Sequence, residues 1–81
     1  QLLAFTLAPA QPGEPPLHVV FNMADAACTV ALPSLPGLRW HRALDTARPS
    51  PDDILPPPQQ LALATDSVEI KPRSVLVLEA R

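Results

Sequence analysis

Apolar residues along this chain come in short runs separated by prolines, and several of the runs alternate with a period of two. Leu2–Leu7 (LLAFTL) and Leu17–Phe21 (LHVVF) are compact apolar stretches with proline on their flanks. Cys28, Val30 and Leu32 alternate with Thr29 and Ala31, and Val68 and Ile70 alternate with Ser67, Glu69 and Lys71. Alternation of this kind marks a strand with one buried side. In the segment from Leu38 to Asp45, Leu38, Trp40 and Leu44 share a side with Arg42, an exception that a bulge or an edge position would accommodate. The run Val75-Leu76-Val77-Leu78 is apolar on both sides and should be the most buried strand. Something must then cover each of its faces, either a folded-over loop or a neighbour outside these residues.

The prolines sharpen this reading. Twelve of 81 residues are Pro, well above the usual share of about 5%, which alone would suggest a low-complexity segment. Their positions say otherwise. They leave Pro-free stretches at 1–8, 17–32, 37–48, 59–71 and 73–81, and because proline cannot donate to a sheet ladder it falls between strands. A 47% hydrophobic content is also too rich for a disordered chain. Asn22–Ala26 reads as the turn of a hairpin joining the second and third strands. The one helical signal is Ser50-Pro51-Asp52-Asp53-Ile54-Leu55, with Ser50 as N-cap and Pro51 at the first position, ended by Pro56-Pro57-Pro58. Gly13 and Gly37, each beside a proline, read as turn residues. Five or six short strands with almost no helix predict an all-β fold, a small antiparallel β-sandwich, with residues 1–81 as a single domain.

Size and charge exclude much chemistry. A complete (β/α)8 barrel takes about 250 residues, and no Gly-rich phosphate loop can be built from two glycines. A net charge of −2 supplies no basic footprint for nucleic acid or an anionic membrane. No apolar run approaches the ~20 residues of a spanning helix, and no signal-peptide pattern is present. The opening residue, Gln1, points to a fragment or processed piece. A core of this size is marginal by itself, and a single Cys excludes an internal disulfide.

Candidate reactive groups are few. Asp52-Asp53 is the only adjacent acidic pair, but neighbours in sequence do not face each other across a glycosidic bond as two catalytic carboxyls must. His18, His41, Cys28 and Met23 lack the spacing of a metal half-site, so no metal and no cofactor is expected. Cys28, on the apolar side of its strand, reads as buried and inert. The three aromatic residues, Phe5, Phe21 and Trp40, lie within predicted strands and read as core. Trp40 with His41 and Arg42 is the one group that would make a contact surface, for a glucan or for a neighbouring domain.

The order of elements carries a resemblance. The VVFN strand end at Val19–Asn22, the RWHRALDT segment at Arg39–Thr46, the SPDDI turn at Ser50–Ile54 and the closing strand after Pro72-Arg73-Ser74 together resemble the C-terminal domain of isoamylase-type debranching enzymes of the alpha-amylase superfamily, nearest to the plant and algal starch isoamylases. The likeness covers most of residues 17–81, and LLAFTL fits the family's first strand. The Pro-rich stretches at 9–16 and 56–60 depart from it. The resemblance implies an antiparallel sandwich packed against a catalytic barrel, in a parent that hydrolyses alpha-1,6 branch linkages of starch or glycogen by a retaining two-carboxylate mechanism. The catalytic carboxylates of that family lie upstream in the barrel, so none is expected here. It also implies the plastid stroma for a plant or algal source and the cytoplasm for a bacterial one. Direct glucan binding and a homo-oligomer contact are the alternative roles.

Overall fold

The computed structural model describes residues 1–81. Six strands form in chain order: β1 (Leu2–Leu7), β2 (Leu17–Asn22), β3 (Cys28–Ala31), β4 (Trp40–Asp45), β5 (Ser67–Ile70) and β6 (Ser74–Ala80). They build two antiparallel sheets. The larger has the order β1-β2-β6-β4 and the smaller pairs β3 with β5. The all-β sandwich expected from the proline spacing is therefore present, and every strand lies within a Pro-free stretch.

The core lies between the sheets. Val20, Leu76, Leu78, Ala80 and Trp40 from the large sheet meet Leu32, Val68 and Ile70 from the other side. Cys28 and Val30 pack against this cluster while half-exposed, so the alternating side of β3 faces inward as its sequence indicates. β6 is central in the large sheet and alternates buried with half-buried residues along its length, in line with its apolar character on both sides. The irregularity foreseen in β4 is a register shift between Arg42 and Leu44. Gly13 and Gly37 both adopt positive φ, +90° and +75°, with open space around each. The backbone conformation, not crowding, is what asks for glycine there.

Two expectations fail. Residues 17–21 and 28–32 do not form a hairpin: β2 pairs with β1 and β6, and β3 pairs with β5. The 22–26 segment instead crosses from one sheet to the other, and Asn22 explains why. Its Oδ1 accepts the Ala24 N–H at 3.0 Å, the local turn chemistry anticipated for Asn. Its buried amide nitrogen donates to the carbonyls of Ala26, Ile70 and Lys71 at 3.0 to 3.2 Å. Those last two acceptors end β5, so one side chain pins the crossover to the second sheet.

The helix over 50–55 is also absent. Residues 50–53 form turns, Ile54 makes an isolated bridge to Leu44, and the only helical turn is a 3-10 segment at Pro57–Gln59. The backbone of this region is committed elsewhere: the Asp45 N–H donates to the Asp53 carbonyl and the Leu55 N–H to the Ala43 carbonyl, at 2.8 and 2.9 Å. Pairing with β4 prevails over a one-turn helix, which gains little by itself.

Candidate functional site

Period-two geometry gives the large sheet an inner and an outer face, and the strand registers place each residue. Reading across β1, β2, β6 and β4, one outward row is Phe5, Val19, Val77 and Leu44, continued by Ile54 through its bridge to Leu44. A second outward row is Leu3, Phe21 and Val75. A third begins with Leu7 and Leu17 and ends in Glu79 and His41. The outer face is thus a continuous apolar field with a polar border at one end.

The margins of this field are bare, while Val19 at its centre is buried. Leu3 is 59% exposed, Leu7 47%, Phe5 38% and Ile54 63%. Phe5 and Phe21 stack on each other with ring centroids 6.1 Å apart and an interplanar angle of 23°. The expectation that both phenylalanines are core is corrected here: they point away from the second sheet. Nothing in the LLAFTL and LHVVF patterns says which side is inner, because both sides are apolar.

Trp40, His41 and Arg42 are not brought together on one surface. Trp40 faces inward and is 7% exposed; its indole N–H donates to the Pro33 carbonyl at 2.8 Å, and its ring lies tilted against His18 at 5.6 Å. His41 turns outward to the polar border, its Nδ1 3.0 Å from the Arg39 carbonyl oxygen. Arg42 turns inward and donates to Asp45 at 2.6 Å. A buried Trp40 offers no ring to a sugar.

Polar chemistry gathers where the edges of β4 and β5 approach. A cleft there is lined by Arg42, Asp45, Arg48, Glu69 and Lys71. Each carboxylate is already engaged, Asp45 by Arg42 at 2.6 Å and Arg48 at 3.5 Å, and Glu69 by Lys71 at 3.0 Å. Asp45 also accepts the Ala47 N–H, and the backbone N–H of Val75 donates to the Thr46 hydroxyl. This pair holds the turn after β4 in place and is not a free acid and base. Three or more His, Cys, Asp or Glu side chains converge nowhere in the fold. His18 is buried, with Nδ1 2.9 Å from the Thr6 hydroxyl, and loss of hydration holds its pKa below the ordinary histidine value.

The comparison with known families settles the class. A family model described as isoamylase 1-3, C-terminal, matches residues 1–77. The chain belongs to this isoamylase C-terminal domain family. It is 39% identical over 57 residues to the chloroplastic isoamylase 1 of Arabidopsis thaliana, an alignment covering 70% of this chain. It is 36% identical over 55 residues to the chloroplastic isoamylase 1 of Oryza sativa subsp. japonica, covering 68%. In both cases the aligned part is only 7% of the relative's length. In this isoamylase C-terminal domain the segments that carried the resemblance have structural tasks. Asn22 closes VVFN onto the second sheet, and Asp45 and Thr46 end RWHRALDT with the turn that returns to β6.

Proposed function

We propose that this domain is the non-catalytic C-terminal module of an isoamylase and that it stabilises the parent's catalytic barrel by packing its apolar outer face against it. The observation that carries the reading is the exposure of Leu3, Phe5, Leu7 and Ile54 on the face of the large sheet that points away from the core. Fully covering a Leu or Phe side chain is worth about 1.5–3 kcal/mol, so covering the part of these side chains still exposed would add several kcal/mol to a domain whose core is small. The parent in this reading hydrolyses alpha-1,6 branch linkages of starch or glycogen with carboxylates supplied by the barrel, and no residue of these 81 takes part in the chemistry. The chloroplastic relatives support the plastid stroma as its place of action in a plant or alga.

The test uses Leu3→Lys and Ile54→Lys, both at exposed positions. In the 81-residue chain these leave the melting temperature nearly unchanged. In the full-length parent they lower it by several degrees and shorten the half-life of debranching activity at elevated temperature. A parent indifferent to both substitutions would sink the interdomain reading. Titration of the 81-residue chain with a maltooligosaccharide addresses direct glucan binding: saturable binding abolished by His41→Ala would replace the packing role with a glucan-binding one.

A further inference from the structure

The two edges of the large sheet are finished differently, and the difference is resolved to single amides. The Met23 N–H donates to the Gln1 carbonyl at 2.9 Å, and the register pairs Leu2 with Asn22, Leu3 with Phe21 and so on to Leu7 with Leu17. In an antiparallel ladder this parity commits the N–H and C=O groups of Leu3, Phe5 and Leu7 to β2. Those of Leu2, Ala4 and Thr6 point away from the sheet, where the fold supplies no partner. Native sheets blunt such an edge with lysine, proline, a bulge or a covering loop. Residues 1–8 contain no charged residue and no proline, the β1–β2 register is unbroken, and all six residues of β1 are exposed.

We infer that the free edge of β1 is completed by an extended, uncharged, apolar segment of the parent polypeptide, added as a further strand. The inference rests on the reading that the outer face packs on the parent. Three observations select this occupant. Exposed apolar side chains project from both sides of β1, Leu2 on the inner side and Leu3, Phe5 and Leu7 on the outer, so a flat surface laid on the outer face leaves the edge and Leu2 wet. A second copy pairing through β1 would satisfy the edge, but it would join two uncovered outer faces into one doubled apolar field. A parent segment closes the edge and leaves the outer face free for the body of the parent to cover. These residues align with only 7% of the length of the relatives, so a parent of that kind has ample chain to supply the strand, held at high effective concentration by the covalent link.

Residue-resolved hydrogen exchange of the full-length parent and of the 81-residue chain tests this. The amides of Leu3, Phe5 and Leu7 are the internal control and are protected in both. The amides of Leu2, Ala4 and Thr6 exchange freely in the 81-residue chain and are slowed at least ~100-fold in the parent. Ala4→Pro removes an outward N–H, leaves the 81-residue chain unaffected, and returns Leu2 and Thr6 to fast exchange in the parent. Footprinting of the Leu3 and Phe5 side chains separates the two readings. If those side chains are covered in the parent while the outward amides stay fast, the added strand is wrong and the packing reading stands; if neither is protected, both fall. Protection of the outward amides that rises with concentration of the 81-residue chain assigns the edge to a second copy and overturns the inference.

Discussion

β4 and β1 are the two margins of one sheet, and only β4 is sealed by its own chain. Along β4 the outward carbonyls of Trp40 and Ala43 accept from Leu63 and Leu55, and the outward N–H groups of Arg42 and Asp45 donate to Leu61 and Asp53. The covering segment is fixed in turn by Gln60, whose amide donates to the Leu55 carbonyl, and by Arg81, whose guanidinium reaches Gln60 and the Pro57 carbonyl. The proline run within this cover cannot itself become a new edge, having no N–H to offer. β1 has neither cover nor guard. The cover over β4 runs from Asp53 to Leu63. The edge of β1 is left bare beside an apolar face.

The largest effect should come from opening the sealed side. Asp45→Ala leaves Arg42, which is mostly buried, without its anion and frees the turn after β4, at a cost of about 3 kcal/mol; equal denaturant midpoints for variant and wild type would show that the margin does not depend on this pair. Next is the parity of β1 in the 81-residue chain. Leu3→Pro removes a ladder hydrogen bond and should cost about 1–2 kcal/mol, against almost nothing for Ala4→Pro. Equal losses at the two positions would mean that the assigned edge is not free. Replacement of Phe5 by Ser should cost the 81-residue chain about 1–2 kcal/mol and the parent more, because the ring is still 38% exposed within the domain.

The smallest effect is one of pH and concerns the single side-chain hydrogen bond that ties β1 inward, from Thr6 to His18. Burial depresses the His18 pKa in the folded state. The unfolded chain therefore binds the proton more readily, and stability is full above the ordinary histidine range and declines as the pH falls through it. The decline levels off below the folded-state pKa. Urea midpoints at pH 7.5 and 5.5 should differ in that direction for the wild type, and His18→Gln should remove the difference.

Much of this architecture could be read from the chain. Proline spacing bounded the five stretches that hold the six strands, because the residue that cannot join a ladder marks where ladders stop, and the turn residues Asn22–Ala26 divided the stretch that holds two. What could not be read was partnership. The Asn22 amide reaches carbonyls 48 and 49 residues away, a bond that no local turn rule contains, and it converts an expected hairpin into a crossover. Ser50–Leu55 has good helix-start chemistry, yet its backbone groups are drawn out along β4. The outer face was foreseen only as a consequence of β6 being apolar on both sides. Its phenylalanines were assigned to the core because a strand that is apolar throughout conceals which side meets its own fold and which awaits another. Trp40, His41 and Arg42 are adjacent in sequence, and strand alternation separates them.

The position of β6 has a consequence for how the domain comes into being. The last strand in chain order lies between β2 and β4 and hydrogen-bonds to both, while Leu17 pairs with Glu79 across the length of the chain. A ribosome releasing this sequence therefore delivers β1 to β5 without the strand that joins the hairpin β1-β2 to β4. Topologies dominated by such distant pairings form slowly, and here the sheet closes only after residue 80 has emerged. Folding of the domain, and with it the presentation of its apolar face, in this way waits on its last strand.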